Sequence, residues 1–188
     1  MDEFDLLKAV RRGEAAAFEE FVHRHQRKVY RVAFRFFQNR VDAEEMVQEV
    51  FVRAHRELSR FRGGAQVGTW LYRIAVNACL DRKRHLDTRR EVPLDEASGE
   101  VAGSPDPFTW AASREFADRV ARAMEELPPR QRAVLILRIY EELSLQEIAD
   151  VVESPLGTVK ANYHYALLKV RRALGDLFER RPEERPRE

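Results

Sequence analysis

Apolar residues recur at steps of three and four along most of this chain. Phe18, Phe21, Val22, Val29, Ala33, Phe36 and Phe37 fall on one face of a long helix. Ala43, Val47, Val50, Phe51, Ala54 and Leu58 form a second stripe. Asp42 is the expected N-cap of that helix, with Glu45 three residues on completing a capping box. Gly63, Gly64 and Gly68 mark a loop, and the next helix, over 69–84, is expected to bury Trp70 or Leu71, with Ile74, Ala75 and Ala78. Periodicity lapses over 87–113, where Pro93, Pro105, Pro107, Gly99 and Gly103 fall. It resumes near Arg114, is interrupted at Pro128-Pro129, and continues over 129–140. Ser144-Leu-Gln-Glu147 is a second capping box and opens a short helix to about Val152. Ser154 then predicts an N-cap and Pro155 a first-turn proline for a last helix. Two-residue alternation and Asn-Gly or Asp-Gly turns are nearly absent, so strands are not expected.

The expected fold is all-α, with two small helical domains. Residues 1–86 form an N-terminal helical bundle, 87–112 an extended acidic linker, and 113–180 a C-terminal helix-turn-helix domain. Residues 181–188 contain only Arg, Glu and Pro and are expected to be disordered.

Composition narrows the function. Of 188 residues, 44% are hydrophobic, enough for a core, and 35% are charged, against about 25% in an average domain. A single cysteine, Cys79, excludes a disulfide framework and a thiolate zinc module, and reads as a small buried side chain. No apolar run reaches the roughly 18 residues of a membrane span, and the acidic N-terminus carries no export signal. A soluble, reduced, cytoplasmic protein without membrane insertion is expected. His23, His25, His55, His85 and His164 form no metal-binding pair, and no Walker loop, GxGxxG or nucleophile–base set is present. No catalytic residue, metal or cofactor is therefore expected, and the protein is not expected to be an enzyme.

Net charge is only +1, but charge is segregated. Residues 23–40 carry six bases and no acid, whereas 41–50 carry four acids and no base. Residues 82–90 carry five bases and one acid, 91–108 five acids and no base, and 155–175 four bases and no acid. Such blocks predict several partner surfaces rather than one uniform field.

The last two helices have the spacing of a helix-turn-helix. Ile148, Ala149 and Val152 are expected against Val159 and Tyr163, leaving Thr158, Lys160, Asn162 and His164 outward near the start of the last helix, where a recognition helix meets bases. An ordinary helical hairpin with a solvated basic face has the same local pattern.

Longer motifs add a family. Leu127-Pro-Pro-Arg-Gln-Arg-Ala-Val-Leu, Leu143-Ser-Leu-Gln-Glu-Ile-Ala-Asp and Pro155-Leu-Gly-Thr-Val-Lys160 resemble the C-terminal domain of sigma-70 family initiation factors, most of all the extracytoplasmic-function (ECF) group. LuxR-type regulators share parts of this half. In the other half, Asp42-Ala-Glu-Glu-Met-Val-Gln-Glu-Val-Phe51 resembles the family segment that grips core RNA polymerase. Phe61-Arg-Gly-Gly, Gly68-Thr-Trp-Leu-Tyr-Arg-Ile-Ala-Val-Asn77 and Asp81-Arg-Lys-Arg84 resemble its −10 module.

The resemblance implies three sets of contact residues. Asp42, Glu45, Gln48 and Glu49 would bind core polymerase; the last three also share one strip of their helix. Phe61, Arg62, Thr69, Ile74 and Asn77 would hold a base flipped from the single-stranded non-template strand at −10. The core is the simpler home for Trp70, whereas Phe61 in its Gly-rich loop suits stacking. Arg138, Thr158, Lys160, Ala161, Asn162, His164 and Tyr165 would face −35 duplex. Here the chain departs from the family, which usually has more Arg in this helix than the Asn162, Tyr165 and Leu167 present, with Leu168 a further apolar residue. Either this helix reads a different −35 sequence through amide and apolar contacts, or an anti-sigma factor covers the patch. The implied partners are core RNA polymerase, promoter DNA and, as a further candidate, that anti-sigma factor. The acidic linker would thread the polymerase cleft toward the RNA exit path. The rival class is a stand-alone regulator using only the C-terminal helix-turn-helix; a metal-dependent nuclease lacks paired carboxylates at suitable spacing.

Overall fold

In the computed structural model, which describes residues 2–58, 66–89 and 107–175 (backbone alone at 89 and 107–115), the side chain of Asp2 accepts the Asp5 amide at 2.8 Å and caps α1 (Glu3–Arg11). This helix was not among those expected. Its Leu6, Leu7, Ala9 and Val10 are buried against α2 (Ala15–Phe37). Helix α2 is the long helix of the first apolar stripe and packs on α1, α3 and α4. Its fully buried Phe21 and Phe36 contribute about 1.5–3 kcal/mol each by removal of their rings from water.

The boundary before α3 (Arg40–Glu57) differs from expectation. Gln38 takes a left-handed conformation (φ 54°) and its amide bonds the Phe34 carbonyl at 2.8 Å, which ends α2. Asn39, not Asp42, is then the N-cap: its side-chain oxygen accepts from Val41 N at 2.8 Å and Asp42 N at 3.2 Å. Asp42 lies inside the first turn, where its charge still favours the positive end of the helix. In α4 (Val67–Arg89) both Trp70 and Leu71 are buried, together with Ile74, Ala75, Ala78 and Cys79. Burial pushes the Cys79 thiol up to about 12.

Helix α4 reaches Arg89 and α5 (Pro107–Glu125) begins at Pro107, so helix enters both ends of the stretch read as linker. The acid run at 91–106 and the tail from 176 lie outside the described residues, as do Phe61, Arg62, Gly63 and Gly64. After α6 (Pro129–Ile139) comes the expected Ser144 capping box of α7 (Leu145–Val151). Ser144 Oγ accepts the Glu147 amide at 3.2 Å, and the Ser144 amide donates to Glu147 Oε2 at 2.8 Å. Helix α8 (Leu156–Ala173) starts one residue later than expected. Pro155 is its N-cap, and Ser154 instead donates its hydroxyl to Val152 O at 3.2 Å. Ile148, Ala149, Val151 and Val159 are buried in one core where α7 meets α8, while Val152 and Tyr163 are only partly buried.

No strand occurs among the described residues. The two helical units lie together: α6 rests on α2 and α4, and α7 on α4, so the buried core runs without a break from Phe21 and Leu71 to Ile136 and Ile148.

Candidate nucleic-acid interface

Three surfaces carry the expected contact residues. On α3, Glu45 and Gln48 are exposed, and Asp42 and Glu49 half-buried. The acids are not free. Arg82 of α4 donates through Nη2 to Glu45 at 2.8 Å and to Asp42 at 3.3 Å. Arg53 joins Glu49 on its own helix to Asp81 of α4, the latter at 3.0 Å. Burial acts to raise Asp81, but hydrogen bonds from Arg53 and Arg84 outweigh it and hold the carboxyl below its ordinary range. The strip is therefore an acid ladder clipped by arginines, with Gln48 and Glu45 exposed and Asp42 and Glu49 partly so.

On α4, Asn77 is exposed and Thr69 half-buried, whereas Ile74 is only 5% exposed and belongs to the core. The basic end of α4 is also engaged. Lys83 pairs with Asp87 and Arg84 with Asp81, besides Arg82 with the α3 acids.

The third surface is α8. Thr158, Lys160, Ala161, His164 and Tyr165 are exposed and Asn162 half-buried. Val159 and Ala166 are the buried residues of that helix, with Tyr163 and Val170 partly buried beside them, so the outward face is the one expected. No acid lies between Glu153 and Asp176, so little repels a phosphate backbone. Arg138 of α6 is exposed and donates to Leu143 O at 2.9 Å, bracing the turn into α7. Tyr165 (55% exposed), Leu167 and Leu168 stand in water. Beside them an open apolar groove of about 550 Å³ is lined by His164, Leu167, Leu168, Val170, Arg171 and Leu174.

A set of contacts that local sequence reasoning did not find joins the two units. The Glu141 side chain, 1% exposed, sits in the turn after α6 and accepts from Arg31 of α2 through Nε at 3.0 Å and Nη2 at 2.7 Å. The Tyr72 hydroxyl of α4 donates to the same carboxylate. Burial, then the Glu141 contact, push the Tyr72 phenol well above its ordinary value. Arg35 lies over the Tyr140 ring at 4.3 Å, and Arg73 reaches Glu153 at 3.2 Å. Buried Arg132 donates to Phe36 O at 2.8 Å and to the carbonyls of Glu125 and Leu127.

Among the described residues no cluster of His, Cys, Asp or Glu has the geometry of a metal site. The described helices include none long and apolar enough to cross a membrane. The architecture is that of a two-unit helical DNA-binding factor. Residues 21–89 match the model for Sigma-70 region 2, and residues 123–172 match Sigma-70, region 4. The ECF RNA polymerase sigma factor SigW of Bacillus subtilis is 32% identical over 184 residues, covering 91% of this chain and 96% of that protein. The ECF RNA polymerase sigma-E factor of Escherichia coli K12 is 35% identical over 167 residues, covering 83% and 85%. Among solved structures, CnrH in complex with the cytosolic domain of CnrY superposes with a TM-score of 0.66 at 26% identity, covering 91% of this chain and 96% of that one. The chain belongs to the sigma-70 family, in its ECF group. It is a transcription initiation factor that directs RNA polymerase to promoters, and not an enzyme.

Proposed function

We propose that the two units divide the work of promoter recognition. The acid and amide strip of Asp42, Glu45, Gln48 and Glu49 docks on a basic helix of core polymerase. Residues 1–86 then hold opened −10 DNA, with Asn77 and Thr69 on the accessible side of α4, joined by Phe61 and Arg62. Ile74 acts from within the core by setting the wall of that site rather than by lying open on it. Residues 113–180 read −35 duplex through Arg138, Thr158, Lys160, Ala161, Asn162, His164 and Tyr165. The acidic stretch 87–112 is the tether, and the chain acts in the cytoplasm.

The observation that carries this reading is the pairing, on one chain, of a clipped acid ladder on α3 with an acid-free outward face on α8. The first suits a basic protein and the second a polyanion. The apolar groove on α8 supports an anti-sigma factor as a further partner; the relative CnrH was solved with a bound protein, the cytosolic domain of CnrY.

Transcription in vitro from a promoter library, with core polymerase and this chain, tests the reading. Specific start sites are expected only when both are present. Tight binding to one duplex operator without polymerase, and no added transcription, would instead establish the stand-alone regulator. Replacing Glu45, Gln48 and Glu49 together by Ala should weaken core binding, at about 1–3 kcal/mol for each desolvated charge pair that the substitution removes. Wild-type affinity in a pull-down would move core binding elsewhere.

A further inference from the structure

Base edges and phosphates are met by different sides of a recognition helix, and the burial of α8 sorts its residues between them. Val159, Tyr163, Ala166 and Val170 mark the side turned to the core. At about 3.6 residues per turn, the line opposite them runs close to Gly157, Ala161 and Leu168, with His164 and Tyr165 about 50° to either side. All five residues are exposed. Thr158, Lys160 and Asn162 fall about 70–110° from that line, on the flanks of the helix. In a major groove about 12 Å wide, the outer line of such a helix faces base edges and its flanks face the two phosphate walls.

The outward line of α8 holds no guanidinium over its front turns. From Pro155 to Val170 the only cations are Lys160 and Lys169, both on the flanks, and the first arginine is Arg171. Arg138 stands on α6 and is tied through Nη1 to the Leu143 carbonyl at 2.9 Å. Guanine is read by a cation set over its O6 and N7, and the front of α8 does not aim one there. What it offers instead is the Ala161 methyl and the Tyr165 ring, which is 55% exposed. The rings of His164 and Tyr165 stand 5.8 Å apart at 67° and brace each other. The feature of the major groove that an apolar side chain recognises is the 5-methyl group of thymine. At Gly157, one turn before Ala161, a Cβ would meet nothing within 4 Å, so bare backbone lets the helix approach the groove closely. Leu168 lies about 10 Å beyond Ala161, past the N-terminal turns that meet base edges, and belongs with Leu167 to the apolar groove. We propose that Ala161 and Tyr165 read thymine methyl groups in the −35 duplex, while Thr158, Lys160 and Asn162 hold its phosphates. The inference rests on the placement of −35 contacts on α8 proposed above.

The test uses the full-length chain with core polymerase on duplexes randomised over the −35 element. Bound and transcribed sequences are selected, and the enriched duplex is remade with single groups altered. Deoxyuridine in place of thymidine removes one methyl and keeps the base pair. The analogue 7-deazaguanine removes the N7 acceptor of guanine. Conversion of each contacted thymidine to deoxyuridine should weaken binding about fourfold, the factor for returning one methyl group to water. The guanine analogue should change binding by less than about twofold, since no forked cation reads that edge. In Ala161→Gly and in Tyr165→Ala, one of these thymidines should lose its sensitivity, so that deoxyuridine weakens wild type but not the variant. Each variant is compared with itself on the two duplexes, so a general loss of affinity or stability cancels. Tyr165→Arg should move the selected base at its position to guanine. If 7-deazaguanine weakens the enriched duplexes and deoxyuridine does not, thymine reading is refuted while α8 remains the −35 face. If deoxyuridine weakens wild type and both variants alike, the methyl groups are read by other residues and the proposal is overturned. If transcription is promoter-specific but no base is enriched over −35, the placement of those contacts on α8 has failed, and the proposal with it.

Discussion

Replacing Arg132 by Met removes a buried cation whose hydrogen-bond acceptors are all backbone carbonyls and whose guanidinium also lies over the Phe36 ring at 5.2 Å. Its Nη1 holds Phe36 O at the end of α2, and its Nη2 holds Glu125 O and, more distantly at 3.4 Å, Leu127 O at the end of α5. A hydrogen bond from a charged donor contributes about 1.5–3 kcal/mol net, so the two closer bonds amount to roughly 3–6 kcal/mol. Two effects reduce the loss. Glu125 is exposed, so its carbonyl can turn to water, whereas Phe36 is buried. Removing the cation also relieves its desolvation, a penalty of several kcal/mol for an ion taken from water, and Met refills much of the volume. Burial lowers the Arg132 pKa, in keeping with that penalty. The remainder is the orphaned Phe36 carbonyl, about 1–3 kcal/mol, and the expected destabilisation is about 2 kcal/mol. Arg132→Lys should be worse than Met, because the ammonium stays charged yet cannot span the three acceptors. Urea unfolding of the full-length chain, followed by circular dichroism, measures both. The Phe36 bond crosses between the two units, so Arg132→Met should also broaden the transition as they unfold less together. A shift below about 0.5 kcal/mol with an unchanged slope, or Lys more stable than Met, would refute the reasoning.

Other outcomes follow from single interactions. Ser144→Ala breaks the capping box of α7 and should destabilise by about 1 kcal/mol, read as a lowered urea midpoint, with Ser144→Asp largely restoring it. His25 is buried beside Phe21, with Nε2 2.9 Å from Glu3 Oε1; burial outweighs the attraction of Glu3, and Lys28 and Arg24 add repulsion, so its pKa is lowered. The unfolded chain, with a histidine near about 6.5, then binds more protons than the folded one, and stability should be full above that pH and fall as pH drops below it. His25→Gln should flatten this component of the melting temperature profile between pH 7.5 and pH 5, and an equally steep profile in the variant would assign the effect to other groups. Lys160→Ala should lower the salt slope of duplex binding, measured by fluorescence anisotropy, by about one unit, since each neutralised phosphate contributes about −0.9. An unchanged slope would place the DNA face elsewhere.

Much of this molecule was legible locally. The Ser144 capping box lies within four residues, and α8 shows its buried stripe through Val159, Tyr163, Ala166 and Val170. Asp42 was the expected cap because Glu45 follows it at the capping-box distance. Asn39 prevailed because α2 terminates at Gln38, and the chain is already turned when it reaches Asn39. The short α1 carries its apolar residues in only nine positions, too few for the periodicity to stand out. The contacts between the units were out of reach for another reason. Arg31 and Glu141 stand 110 positions apart, and neither breaks a local rule. Within the charge blocks, Arg31, Arg82, Lys83 and Arg84 each also hold an acid of this same chain. Composition counts those charges but says nothing of which are spoken for.

Cys79 is the sole cysteine of the chain, wholly enclosed and protonated at neutral pH. Nucleophilic sulfur chemistry requires the thiolate, so neither peroxide nor a maleimide finds a reactive target in the native fold. For the experimenter the same enclosure is a convenience. A cysteine introduced on the surface can be labelled with a fluorophore in the otherwise wild-type chain, and slow alkylation of Cys79 itself becomes a clock for transient openings of the bundle around α4.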